Sequence, residues 1–160
     1  MNELKVLYRD QHLVVVEKPG GLLAVPGRGP EKQDCVSTRI RQLIPECIEQ
    51  PAVHRLDMAT SGLMVLALTR EVHRHLSMQF AERRVEKRYL ALVEGVVSGE
   101  AGEICLRFRL DPENRPYQVH DPVQGKLGIS RWCKRADING QSLIEFTPLT
   151  GRTHQLRVHC

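Results

Sequence analysis

The chain has 160 residues, 41% of them hydrophobic and 26% charged, which is enough to bury about 70% of the unfolded surface around one core. No run approaches the roughly 20 apolar residues of a membrane span, and the first residues do not form an apolar signal segment. We therefore expect one cytoplasmic domain over residues 1–160. The net charge of +4 is compatible with a polyanionic partner but does not identify one.

The first predicted elements are two β-rich runs, residues 4–8 and 12–17, which a short polar turn joins into an antiparallel hairpin. The run KPGG at 18–21 ends the second strand, because proline lacks a backbone donor and glycine permits positive φ. Residues 22–26 continue as an extended segment, and residues 27–32 form a loop. That loop matches neither G-x-x-x-x-G-K-[ST] nor G-x-G-x-x-G, so a nucleotide-binding loop is not indicated.

Two helices follow in the first half of the chain. Asp34 is predicted to cap a helix over residues 35–44, and Thr69 to cap a second helix over residues 70–84. Apolar side chains recur every four residues in the second helix and end at Phe80, which indicates one buried face.

The second half is rich in β-like alternation. The predicted strands are residues 87–95, 104–110, 130–136, 143–148 and 153–159. In the first of them, Tyr89 and Ala91 share one face. Asn139-Gly140 is typical of a hairpin turn between two of these strands. Because the last alternation is still running where the sequence stops, we expect this chain to be incomplete at the C-terminus.

Five cysteines are scattered along the chain without a C-x-x-C pair, which favours neither a disulfide framework nor a zinc site. Basic residues crowd at residues 82–88 and again between 131 and 157. Such runs are usually solvated faces, and an aromatic content of 4% does not provide a stacking platform for single-stranded nucleic acid.

The run HRLDMATSG at residues 54–62 stands directly before an apolar strand at 63–68. A polar loop held against a buried strand is a typical setting for catalytic residues. Its one carboxylate, Asp57, has an arginine and hydroxyl side chains nearby that could keep it charged and oriented. Two interpretations stay open on the residues alone: Asp57 takes part in catalysis, or it stabilises a turn.

Four separated blocks resemble, in the right order, the motifs of the RluA family of RNA pseudouridine synthases. They are EKPGGLLAVPG (17–27), HRLDMATSG (54–62), KRYLALVEG (87–95) and TGRTHQLRVH (150–159). Together with NRPYQ at 114–118, they are most similar to the RluA subgroup, which modifies a uridine in the tRNA anticodon loop and one in 23S ribosomal RNA. The family continues beyond the last block, and this subgroup has no N-terminal S4-type domain.

The resemblance implies an α+β fold with a largely antiparallel mixed sheet, peripheral helices and a catalytic cleft across the sheet. It implies an isomerase that flips uridines out of structured RNA and converts them to pseudouridine without a metal or other cofactor. The expected partner is tRNA, ribosomal RNA or both, and we expect a monomer.

The resemblance also assigns roles to residues. Asp57 is the essential carboxylate, acting as a nucleophile or as a base, and Arg157 forms an ion pair with it. Tyr89 packs on the uracil ring, although a half-buried strand tyrosine would look the same in sequence. Arg55 fills the space that the flipped base vacates. Further contacts with RNA, or ordering of the site, are expected from Lys18, His54, Arg152 and His154.

Other interpretations are an RNA-binding protein without catalysis and an inactive fragment of a synthase. A phosphotransferase would share the H-R-x-D pattern, but the asparagine, Gly-rich loop and D-F-G of a kinase are missing. A purely structural α/β module would leave the polar blocks beside successive strands unexplained.

Overall fold

The computed structural model describes residues 4–160. The chain divides into two compact units, a first unit that ends at Arg84 and a second unit of Val85–Cys160. A single domain over residues 1–160 stays a prediction. No helix within the described residues has the length and hydropathy needed to cross a membrane.

The first unit contains a three-stranded antiparallel sheet in the order β1-β2-β3, together with two helices. Its elements are β1 (Lys5–Arg9), β2 (Leu13–Lys18), α1 (Val36–Leu43), β3 (Gly62–Ala67) and α2 (Arg70–Ala81). A short 3-10 turn at Pro30–Lys32 precedes α1. The predicted hairpin is confirmed. Asp10 closes its turn by accepting the backbone N–H groups of His12 and Leu13 at 2.7 and 2.8 Å.

The core of the first unit lies on one face of β2 and β3. Val14 pairs with Leu66 and Val16 with Met64, and all four side chains are fully buried. Ile40 of α1 is also fully buried. Each such side chain contributes about 1.5–3 kcal/mol relative to leaving it in water, so β3 forms a stable base for the loop before it.

The two helix starts differ from each other. Thr69 caps α2 as predicted, because its hydroxyl accepts the N–H of Val72 at 3.3 Å. The predicted Asp34 cap of α1 is wrong: the cap is Cys35, whose sulfur accepts the N–H of Thr38 at 3.4 Å. The carboxylate of Asp34 instead forms an exposed ion pair with Arg39, which competes with the capping role.

The second unit contains a five-stranded antiparallel sheet in the order β4-β8-β7-β5-β6. Its elements are β4 (Tyr89–Glu94), β5 (Ala101–Leu110), β6 (Gln118–His120), β7 (Lys126–Ile138), β8 (Gln141–Pro148) and α3 (Gln155–His159). The hairpin turn is confirmed, with φ of 51° at Asn139 and 79° at Gly140. Strand β6 was not predicted, because its three residues directly follow a proline-rich loop.

The predicted strand at residues 153–159 is wrong, because Gln155–His159 is the short helix α3. His154 has φ of 57°, which turns the chain out of an extended path. In the helix, the buried Gln155 shares a face with the half-buried Val158 and His159, whereas an extended strand would place Val158 on the opposite face from Gln155 and His159.

The predicted α+β class with antiparallel sheets is confirmed. All pairs of named strands are antiparallel. Parallel pairing in the described residues is limited to isolated bridges, Leu23 with Cys35 and Gly95 with Gln141. The strands form two sheets, one in each unit, rather than one. The predicted cleft stays a prediction.

We expect the second unit to lose stability in acid through Asp121. Its carboxylate accepts a hydrogen bond from Arg109 Nε at 2.6 Å, which lowers its pKa from 3.8 to about 2. This stabilisation is complete at pH values above the pKa of the carboxyl in the unfolded state, and it disappears as pH falls through the pKa in the folded state. In urea titrations, Asp121→Asn should therefore be less stable than wild type at neutral pH, and the difference in free energy of unfolding should disappear near pH 2. A difference that is unchanged at low pH would contradict this assignment.

Candidate active site

The loop of residues 54–62 is called the Asp57 loop below. It leaves the edge of β3 and leads into the start of that strand. Leu56 is 8% exposed, whereas Arg55 is exposed and Asp57 is half-buried. The N–H of Thr60 donates to the carbonyl of Asp57 at 3.0 Å, so the chain turns directly after the carboxylate. Anchored Leu56 and this turn fix the backbone on both sides of Asp57.

Lys18 lies beneath the loop and is fully buried. Its ammonium donates three hydrogen bonds, to the carbonyls of Pro19 at 2.9 Å, Leu22 at 2.7 Å and Met58 at 3.0 Å. Three donors are all that an ammonium group has. The arrangement therefore suits the ordering role expected for Lys18, and these donors do not point to RNA phosphate.

The charge of Lys18 also acts on Asp57. Burial lowers the pKa of Lys18, and the negative charge of Asp57 opposes that shift. The two charged groups are therefore near enough to interact. Ionised Asp57 is the form that nucleophilic or base catalysis requires.

Two glycines let the KPGG turn approach the Asp57 loop. Gly21, at φ of 87°, donates its N–H to the carbonyl of Met58 at 2.8 Å. At Gly20, a Cβ atom would lie 3.2 Å from the carbonyl oxygen of Ala59, a tight contact for a side chain. The first two sequence blocks, distant along the chain, are thus joined at the residue that follows Asp57.

His54 is held by two contacts in the first unit. Its Nε2 accepts the backbone N–H of Val65 at 3.1 Å, and its ring stacks on Phe80 of α2 with centroids 4.5 Å apart and planes inclined by 19°. The ring is half-buried. Its position links the start of the Asp57 loop to both β3 and α2.

In the second unit, Tyr89 begins β4 and pairs with the buried Phe146 of β8. The predicted division of faces is confirmed: Tyr89 and Ala91 are half-buried, whereas Leu90 and Leu92 are 66% and 53% exposed. Tyr89 therefore lies on the more protected face of its strand.

The block TGRTHQLRVH is organised by Gln155, which is 4% exposed. Its Oε1 accepts from Thr150 Oγ1 at 2.7 Å and from the N–H of Arg152 at 3.0 Å. Its Nε2 donates to the carbonyl of Ile129 at 3.0 Å and to Ser130 Oγ at 2.9 Å. A buried amide with both ends satisfied fixes the segment on β7.

Three predicted residues of this block lie around Gln155. The Nε of Arg152 donates to the carbonyl of Leu127 at 3.2 Å, and His154 precedes α3. Arg157 is exposed within α3. The first unit thus brings Lys18, His54 and the Asp57 loop together, and the second unit places Arg152, His154 and Arg157 in one segment. The Asp57–Arg157 ion pair stays a prediction.

Several other basic residues that crowd the second half are ion-paired. Arg131 pairs with Glu103, Lys134 with Glu100 and Asp137, and Arg135 with Glu145. This is the solvated-face pattern that such runs usually adopt. They offer less free positive charge to a polyanion than the sequence alone indicates.

Sequence reasoning missed three residues that organise the site. In the sequence, Gly21 indicates a turn, Phe80 a buried helix face and Gln155 a strand, and none of them is assigned a role in the site. The available signals are the sequence blocks themselves: Gly21 lies in the first block, and Gln155 lies in the last.

A model of the family described as RNA pseudouridylate synthase matches residues 12–160. With this match over most of the chain, the protein belongs to the RNA pseudouridylate synthase family, whose members convert uridine in RNA to pseudouridine.

Among the members of this family, the chain is similar to proteins named RluA. The dual-specificity RNA pseudouridine synthase RluA of Haemophilus influenzae is 44% identical over 157 residues, which is 98% of this chain and 70% of that protein. The protein of the same name from Escherichia coli is 44% identical, with the same coverage of both chains.

Solved structures agree with the fold. Human RNA pseudouridylate synthase domain containing 1 is 29% identical, with a TM-score of 0.77 over 98% of this chain. Human RNA pseudouridylate synthase domain containing 4 is 27% identical, with a TM-score of 0.76 over 97%. This chain spans 64% and 62% of those two structures, respectively.

Proposed function

We propose that this chain isomerises specific uridines to pseudouridine in structured RNA, with Asp57 as the essential carboxylate. The observation that carries the proposal is the anchoring of the Asp57 loop. Buried Leu56 fixes one side of Asp57, and the carbonyl of Met58 on the other side accepts from Lys18 and Gly21. A carboxylate held this way is oriented before substrate arrives, which is how binding geometry lowers a reaction barrier.

The proposed reaction breaks the bond between uracil N1 and ribose C1′ and forms a bond from C1′ to uracil C5. The hydrogen on C5 leaves as a proton, and N1 gains one, so the product is an isomer. Asp57 acts either as a nucleophile or as a base that removes a ribose proton. Both roles require the carboxylate in its ionised form.

The target base must leave the RNA stack, at a cost of a few kcal/mol. In our proposal, Arg55 fills the vacated space, and its exposure next to Asp57 supports this role. Arg157 pairs with Asp57, because a planar guanidinium matches a carboxylate. Tyr89 packs on the uracil ring, and Arg152 and His154 contact RNA.

The proposed substrates are the tRNA anticodon loop, 23S ribosomal RNA or both. The support is the dual specificity in the names of the RluA relatives at 44% identity. We further propose that the protein works as a monomer in the cytoplasm.

Tritium release from transcripts labelled at uracil C5 tests this function. Separate tRNA and 23S ribosomal RNA transcripts distinguish the two substrates, because only an isomerised uridine loses its C5 tritium. Release from either transcript is the expected result. RNA binding with tritium release from neither transcript would instead favour a binding protein without catalysis.

Substitutions at Tyr89 test the proposed packing on uracil. We expect Tyr89→Phe to retain more activity than Tyr89→Ala, because the ring supplies the contact and the hydroxyl contributes less. Single-turnover tritium release measures the effect. Leu90→Ala is the matched control, since Leu90 is a 66% exposed neighbour on the opposite face of β4. Equal losses in the Phe and Ala variants would show that the ring has no such role.

A further inference from the structure

The imidazole of His54 replaces a backbone acceptor at the edge of β3. The N–H of Ala67 donates to the carbonyl of Pro51 at 2.8 Å, so the chain before the Asp57 loop begins as a short partner of β3. Two residues along the edge, the N–H of Val65 donates to His54 Nε2 at 3.1 Å instead of to a carbonyl. The side chain thus satisfies an edge donor at the point where the backbone departs toward Asp57.

The opposite contact of the ring is with α2. Phe80 stacks on His54 at 4.5 Å, and His73 of the same helix has its Nε2 3.3 Å from the carbonyl of Ala52. The helix therefore follows the segment that leads into the loop and holds it at two places. The ring of His54 is fixed by a hydrogen bond in its plane and by stacking on its face, which leaves it little freedom to move.

The hydrogen bond also determines what Nε2 can do. A nitrogen that accepts a backbone N–H carries no proton, so it cannot donate to a phosphate while the contact exists. Asp57 is three residues away, a distance of at most about 10 Å along an extended chain, so His54 holds the loop close to the carboxylate.

We propose that His54 is a positioning residue that holds the Asp57 loop on β3 and α2, with its Nε2 bound to the N–H of Val65 and not to RNA. This inference rests on the proposed function for its kinetic consequence. Its structural consequence, protection of the Val65 amide, is independent of any activity.

The test compares His54→Gln with His54→Asn. Glutamine can place an acceptor oxygen near the position of Nε2, whereas the shorter asparagine reaches only as far as Nδ1. Because a misplacement of about 1 Å costs about 10²-fold in rate, we expect His54→Asn to lower the single-turnover rate by about that factor. His54→Gln should retain a larger part of the rate, and both variants should bind RNA like wild type.

Hydrogen exchange at the Val65 amide supplies the readout that does not need turnover. Exchange should accelerate in His54→Asn and stay slower in His54→Gln. Phe80→Leu, which removes the stacked ring and keeps an apolar side chain in α2, should lower the rate without weakening RNA binding. This variant carries the test if His54→Asn does not fold.

Two results would overturn the inference: weaker RNA binding with an unchanged rate at saturating RNA, or equal Val65 exchange in wild type and His54→Asn. Failure of the proposed function looks different, because wild type itself would then release no tritium while the Val65 amide remained protected.

Discussion

The Asp57→Asn variant is expected to bind RNA with wild-type affinity and to release no measurable tritium. Asparagine preserves the size of the side chain but removes the charge that a nucleophile or base needs, and general base catalysis alone contributes about 10²–10⁴-fold. Two hydrogen bonds that anchor the loop do not involve this carboxylate: Lys18 and Gly21 donate to the carbonyl of Met58. The variant should therefore fold, and its defect should lie in the rate at saturating RNA.

Asp34→Asn is the matched control for that experiment. It makes the same chemical change at a residue ahead of α1, whose 56% exposed side chain pairs with Arg39. We expect its turnover to equal that of wild type. Turnover in Asp57→Asn comparable to this control would contradict the assignment of Asp57.

Lys18→Met should have the largest effect on stability. The substitution keeps an unbranched side chain of similar length but leaves three carbonyls without the ammonium donor. Losing hydrogen bonds from a charged buried group should lower the free energy of unfolding by about 2–4 kcal/mol, after the benefit of no longer burying a charge. Turnover should also fall, because one of those carbonyls belongs to Met58 in the Asp57 loop. Urea denaturation with single-turnover kinetics measures both effects.

Lys5→Met provides the control for the loss of a lysine. Lys5 lies in β1 of the same unit, with a 69% exposed side chain paired to Glu17 at 3.0 Å, and such exposed pairs contribute at most about 1 kcal/mol. If Lys18→Met proved as stable as Lys5→Met, the anchoring role of Lys18 would be wrong.

Local chemistry made much of the fold predictable. Thr69 is identifiable as a helix cap because a hydroxyl side chain directly before an apolar helical stripe is a preferred N-cap, and the structure shows that hydrogen bond. Asn139-Gly140 identified its hairpin because both residues accept positive φ. Alternation also assigned the faces of β4, since the period of two is read directly from the order of residues.

Features that depend on distant partners were not predictable in the same way. The segment after Thr150 alternates like a strand, but the buried amide of Gln155 and the backbone of His154 make it helical. Lys18 looks like an ordinary strand-end lysine until the carbonyl of Met58, 40 residues away, is seen to accept from it. For His54, nothing local in the sequence indicates that the N–H it accepts is in β3 and that its stacking partner is in α2.

Site-resolved detection of pseudouridine is the most direct test of the central claim that Asp57 carries out uridine isomerisation. Transcripts of tRNA and 23S ribosomal RNA would be incubated with wild type and with Asp57→Asn, and each uridine position would then be assayed for conversion. We predict pseudouridine at specific positions with wild type and none with Asp57→Asn. No pseudouridine with wild type, or the same amount with both proteins, would contradict the account.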